Sequence, residues 1–293
     1  QSNITVAQTS LTMTATALKQ LVSMAQSLST NLISMSGTTT SETVNSAAAE
    51  ATSNLSAIAT VLNTSTGSGY VFAGQNSTEP PITDSSSITT SSLATQIASL
   101  VSNLSTSGAS SVLDDATTAS ADNTSGTSLF SSDLSVSGTD ASALQSKIVT
   151  GDNTTVGVGI VATQSVTSSS ATSPSTGSPI RDLIRDMMVV SSLKGMTSSS
   201  TGFTDLVSKL RTSIQSTVSQ LTDMETSVGV TQNALTARST LLTNMNLSLT
   251  TQLSNARDAN YAVTASQLSD LNLRLQASYT LVADMKDMTL ASY

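Results

Sequence analysis

The sequence predicts a mainly α protein: a long antiparallel, coiled-coil-like helical rod from both chain ends, with an inserted strand-containing outer domain. Three observations predict it. The run from Phe203 to Tyr293 has no Pro and a single Gly, Gly229. Within it Val207, Leu210, Ile214, Thr217, Leu221, Met224 and Val228 step by threes and fours, and the frame continues through Leu235, Leu242, Met245, Leu249 and Ala256. Such steps average about 3.5 residues, the period of a seam between helices rather than of a lone amphipathic helix. The third observation is the same stepping near the other end of the chain, at Ile4, Ala7, Leu11, Thr14, Leu18, Leu21, Ala25, Leu28, Leu32 and Met35. One apolar stripe cannot bury itself, so each end needs a partner, and each offers one to the other.

Taken in order, residues 3 to 36 form the first helix, stopped by Gly37 and the Thr run after it. Ser41 and Thr43 open a second, with its seam at Val44, Ala48, Ala51, Leu55, Ile58 and Leu62. The connection is short, so the two helices are expected to be antiparallel neighbours. Thr66-Gly67-Ser68-Gly69 ends the second helix, Tyr70-Val71-Phe72-Ala73-Gly74 reads as a strand, and Pro80-Pro81 as a rigid exit.

From about 83 to 178 the stepping disappears, apart from a short helix expected over Leu93 to Leu104. Asp152-Asn153 reads as a turn, and Val156, Val158 and Ile160 alternate as a strand. Val166 to Gly177 is almost all Ser, Thr, Ala, Pro and Gly, the composition of a loop or linker. Ser178-Pro179 then has the N-cap and first-turn pattern of a helix carrying Ile180, Leu183, Ile184, Met187, Met188 and Val190, closed by Gly195. The Phe203 helix follows, with a break or bend expected at Asn255-Ala256-Arg257-Asp258. A final helix would present Leu268, Leu271, Leu275, Val282 and Met285 on one face. The expected organisation is rod helices over 1–66, a β-hairpin and linker over 67–82, an inserted outer α/β domain over 83–178, rod helices over 179–257 and a C-terminal core helix over 258–293.

Composition excludes several classes of function. Charged residues make up only 10% of the chain and aromatics 2%, with no Cys, His or Trp. Charge-poor composition is unlike solvated disorder, and the scarcity of aromatics is unlike a conventional large core. The net charge of -8 and eleven thinly spread basic residues suit neither nucleic acid nor an anionic membrane surface. No apolar run is long enough to span a bilayer, and no basic stretch followed by an apolar one marks a secretory signal.

Chemistry is thin as well. Without His and Cys the commonest general base and the soft metal ligands are missing, and a Ser-His-Asp triad cannot be built. No Walker loop follows the glycines at 67, 69 and 74, and Gly157-Val158-Gly159 lies inside a strand pattern rather than before a helix. Asp114-Asp115 and Asp122-Asn123 do not fit a Ca²⁺ loop and read as solvated turn residues. Paired carboxylates for glycoside chemistry remain open, but no pair stands out. Asn-x-Ser/Thr triplets such as Asn76-Ser77-Thr78 and Asn123-Thr124-Ser125 arise by chance in so Ser- and Thr-rich a chain. Met187, Met188, Met224, Met245, Met285 and Met288 fall at seam spacing and read as core fillers. No catalytic, cofactor or metal residue is assigned.

One stretch resembles a known family. Gln232-Asn233-Ala234-Leu235, Arg257-Asp258-Ala259-Asn260-Tyr261-Ala262, Leu275-Gln276-Ala277-Ser278-Tyr279 and Met288-Thr289-Leu290 resemble the C-terminal end of bacterial flagellins and of the related hook–filament junction protein. Tyr70 to Gly74 with Pro80-Pro81-Ile82, and Gly151-Asp152-Asn153 to Ile160 leading into Ile180-Arg181-Asp182-Leu183, fit the same family more loosely. The resemblance implies a structural, non-enzymatic filament subunit, exported through the flagellar secretion apparatus and located outside the cell. It implies partners too: other copies of the chain in a helical homopolymer, flagellar junction and cap proteins, and an export chaperone. It assigns subunit and core packing to Leu268, Leu271, Leu275, Val282, Met285 and Leu290. It also implies that the family's own N-terminal segment, partner of the last helix, is missing here, since the sequence begins within a helix. Two alternatives stand beside a flagellin: the junction protein itself, and a cell-surface binding module using the inserted domain.

Overall fold

The computed structural model describes residues 2–151, 154–166 and 174–290. The chain is mainly helical, with two small antiparallel sheets. It divides into two units, Gln1–Thr236 and Ala237–Tyr293.

The first unit opens with α1, Ser2–Ser34, and α2, Ser41–Leu62. Every seam position expected on these two helices is buried. Their high Thr and Ser content does not break them, because Thr hydroxyls donate back to the carbonyl four residues earlier, as Thr12 does to Gln8 and Thr52 to Ala48, both at 2.8 Å. Thr14 occupies a seam position by the same device, bonding Ser10 O at 2.9 Å while wholly buried. Glu50 of α2 accepts from Ser27 and, at 3.0 Å, from Asn31 of α1, which fixes the antiparallel pair.

The expected strand at Tyr70 to Gly74 is not one. A tight hairpin forms earlier, pairing β1, Ser65–Thr66, with β2, Gly69–Tyr70. Val71, Phe72 and Ala73 lie buried in turns, and their neighbourhood bonds to several segments instead of one partner strand. Val71 N reaches Thr64 O, Phe72 O accepts from Ala162 N, and Gln75 N donates to Leu144 O, at 2.9–3.1 Å. Gly74, at φ +71°, makes the change of direction; a Cβ there would lie 2.6 Å from Leu144 O. Asn63 then clips the exit after Pro80-Pro81, its amide exchanging two 2.9 Å bonds with the backbone of Ile82.

A 3₁₀ turn, Ile88–Thr90, leads into α3, Ser92–Ser102, capped by Ser91 through Ala94 N. The next helix was not expected: α4, Leu104–Ala121, interrupted at Gly108 with φ 79°. Ala109, Val112, Leu113 and Ala116 face inward at helical spacing, a signal diluted by the surrounding Ser and Thr. A short α5, Gly138–Ala143, precedes β3, Ser146–Gly151, paired with β4, Thr154–Val158. The alternation at Val156 and Val158 therefore does mark a strand, but Gly159 at φ +83° ends it before Ile160. The expected turn at Asp152-Asn153 and most of the loop from Val166 to Gly177 fall outside the described residues.

α6, Pro179–Ser191, packs against α2, α3 and α4, and every residue from Pro179 to Val190 is buried. A helix buried all round lies at the centre of its unit. Pro179 is its first residue as expected, but Ser178 makes no side-chain cap. Asp182 anchors the first turn instead, accepting from Ser175 Oγ and from Thr176 N and Oγ1. α7 runs unbroken from Phe203 to Leu290. Of the break or bend expected at 255–258, a break does not occur: the helix continues through that stretch, which has no Pro or Gly, and Asn and Asp at exposed helical positions cost only tenths of a kcal/mol each, about 0.7 at most.

Candidate functional site

Helix α7 as far as Thr236 lies in the first unit, where three contacts join it to α1. Gln8 bonds Thr236 at 3.1 Å, Gln232 bonds Thr12 at 3.4 Å, and Lys19 Nζ is 3.9 Å from Glu225. From one contact to the next, the α1 residue advances by four and then seven while the α7 residue retreats by the same steps. The helices are thus antiparallel in constant register, with steps of four and seven residues that return to the same helix face. Beneath these polar contacts Leu11, Leu18 and Leu21 of α1 and Leu221, Met224, Val228 and Leu235 of α7 are all buried. Thr217 takes its place in the seam by bonding Ser213 O at 3.1 Å.

The second unit begins at Ala237. Leu242 is half-buried, while Met245, Leu249 and Ala256 are exposed. Leu268, Leu271, Leu275, Val282 and Met285 all lie on this helix and are all exposed, Leu271 at 55%. Leu290 is its last residue, and its side chain is not among those described. Core filling therefore describes Met187, Met188 and Met224, but not Met245 or Met285.

The residues to which the sequence assigned no role in a site are on α6, although Arg181 and Asp182 belong to the family-like stretch at Ile180 to Leu183. Arg181-Asp182 and Arg185-Asp186 repeat at a spacing of four and are all buried. Arg185 Nε and Nη2 both donate to Asp186 Oδ1, at 2.9 and 2.8 Å. Its other bonds reach Ser213 of α7 at 2.6 Å, Thr117 of α4 at 2.8 Å, Asp182 at 3.2 Å and Pro174 O at 3.3 Å. Ser213 in turn donates to Asp186 Oδ2 at 2.7 Å. Burial works against the Arg185 charge, but Asp186 and Asp182 outweigh it, and its pKa is raised. Burial pushes Asp186 up, against the pull of Arg185 and of the Ser213 hydroxyl. Arg181 has no carboxylate at salt-bridge distance among the described residues; burial brings it down to about 10, against the field of Asp182. It donates to Ser120 O at 3.1 Å, Asn123 Oδ1 at 2.7 Å and Val136 O at 3.2 Å, and stacks over Phe130 at 5.2 Å. The available signal was this charge repeat, conspicuous in a chain only 10% charged.

This buried cluster is structural in its geometry, with every carboxylate directed at protein groups. Asp114 and Asp115 are exposed on α4, not in a turn, and Asp122 closes a local turn by accepting from Thr124 N at 2.8 Å. Among the described residues no group of three or more acidic, His or Cys side chains is placed to hold a metal. An open cleft of about 530 Å³ lies between Glu79, Asp84, Asn123 and several serines, with Phe130 at its wall. No helix is long and apolar enough to cross a membrane among the described residues. No protein-family model, curated protein or solved structure matches the chain.

Proposed function

We propose that this protein is a structural subunit of a bacterial flagellar filament, a flagellin, that self-assembles through lateral and axial helix packing. The rod is the helical pair α1–α7 with α2 and α6, and the segment from 83 to 178 is its outward-facing part. One observation carries the reading. The apolar frame of α7 is buried as far as Leu235 and continues in sequence beyond it, but from Met245 on its side chains are exposed, Leu249 at 63%. A monomeric soluble protein rarely leaves so many large apolar groups open, and regular exposed stripes mark surfaces made for association. Open head-to-tail contacts of one chain with its copies build filaments rather than closed rings. The motifs at Arg257 to Ala262 and Leu275 to Tyr279 support the same family. Export through the flagellar apparatus, an extracellular location, and junction, cap and chaperone partners go with it.

The test is electron microscopy of the full-length protein under polymerising conditions. Long filaments are expected; a protein that stays monomeric throughout would overturn the reading. The junction protein is a second reading, favoured by the Tyr70 to Gly74 stretch with Pro80-Pro81. It would cap ends and form no long filament alone, so filament length separates the two.

A further inference from the structure

We propose that one ordered water molecule is a built-in part of this fold, held between Arg181 Nε and Ser120 Oγ in a recess where α3, α4 and α6 meet. The recess has a volume of about 10 Å³ and is lined by Leu93, Ser120, Asp122, Ser128, Phe130 and Arg181 among others. Arg181 and Ser120 are more than nine-tenths buried. Arg181 Nε and Ser120 Oγ find no partner among the described residues, although the other guanidinium nitrogens are well bonded. The same Arg181 donates to the backbone carbonyl of Ser120 at 3.1 Å, so the two orphaned groups belong to residues in direct contact. Buried donors left unpaired are rare, and a polar space of roughly 10–15 Å³ accommodates a single water.

The chemistry selects water over an ion. A guanidinium with a spare N–H suits an anion in general, but here the wall includes the acidic residue Asp122. The guanidinium already faces backbone and amide oxygens, and the space is no larger than one water. A neutral molecule that both accepts and donates meets both demands: it accepts from Arg181 Nε–H and exchanges a bond with the Ser120 hydroxyl. Its place is structural, since Arg181 ties the end of α4 and the strand-free segment near Leu134 and Val136 to α6.

The test is a crystal structure of the full chain at a resolution that shows ordered solvent, repeated on crystals grown in bromide. A solvent peak at about 2.7–3.2 Å from both Arg181 Nε and Ser120 Oγ is expected, with no anomalous bromide signal. In Ser120→Ala the peak should weaken or vanish while Arg181 keeps its carbonyl partners. A bromide signal at the site, a dry recess, or Arg181 Nε bonded directly to a protein oxygen would each overturn the proposal.

Discussion

Arg185 and Asp186 show how a single side chain can matter more than its place in a pattern. Both are fully buried and bonded to each other, to α4 and to α7. Removing Asp186 takes from the buried Arg185 its closest carboxylate and leaves only Asp182 at 3.2 Å, so Asp186→Ala should cost about 3 kcal/mol in urea unfolding. Replacing both, Arg185→Met with Asp186→Leu, should recover most of that loss, because the desolvation of the pair disappears with it. An equal loss in the double variant would show that the bonds, not the stranded charge, carry the stability. Glu50 titrates in the other sense. Ser27, then Asn31, hold its pKa below the ordinary 4.5 against weak burial. A carboxylate lowered in the fold stabilises above its unfolded pKa and loses that contribution as pH falls through the folded one. Stability should therefore drop as pH falls below about 4.5, and Glu50→Gln should flatten the decline. A profile unchanged by the substitution would remove Glu50 from the account.

At the scale of elements, two helix predictions follow. Gly229 is half-buried in α7, its φ is not positive, and no atom lies within 4 Å of the place a methyl group would take. Gly229→Ala should then raise stability by about 0.5–1 kcal/mol through helix propensity alone. The seam makes a sharper contrast. Leu18 is fully buried in the first unit and Leu271 is exposed in the second. Leu18→Ala should cost about 2–5 kcal/mol in the unassembled chain, and Leu271→Ala close to nothing. Under polymerising conditions Leu271→Ala should be the one that shortens or abolishes filaments. Thermal unfolding of both variants, followed by microscopy, checks the pair of outcomes together. Had the two leucines equal cost in the monomer, the division into a buried and an exposed seam would fail.

For the whole molecule the same contrast becomes one of protection. Residues up to Thr236 hold the buried core, while helix α7 from Met245 to Met285 keeps its large apolar side chains exposed. Regions with few buried apolar contacts open at low free energy and exchange amide hydrogens quickly. Backbone amides from 242 to 285 should exchange fast in the monomer and become protected on assembly. Fast exchange that persists in filaments would mean that this helix is not part of the interface.

Much of this architecture was legible in the residues because it is periodic. Every third or fourth position of α1, α2 and the first turns of α7 is apolar, and helical geometry alone carries those positions to one face, even where the occupant is Thr14 or Thr217. Tertiary structure decided what has no period. Val71 to Ala73 became buried turns because their backbone bonds go to distant segments, and α4 folded although Ser and Thr hide its inward face. Only packing revealed that α6, with its two Arg-Asp pairs, lies at the middle of the first unit. A buried charge is stable only where partners from other elements converge on it, and that convergence is a property of the folded chain.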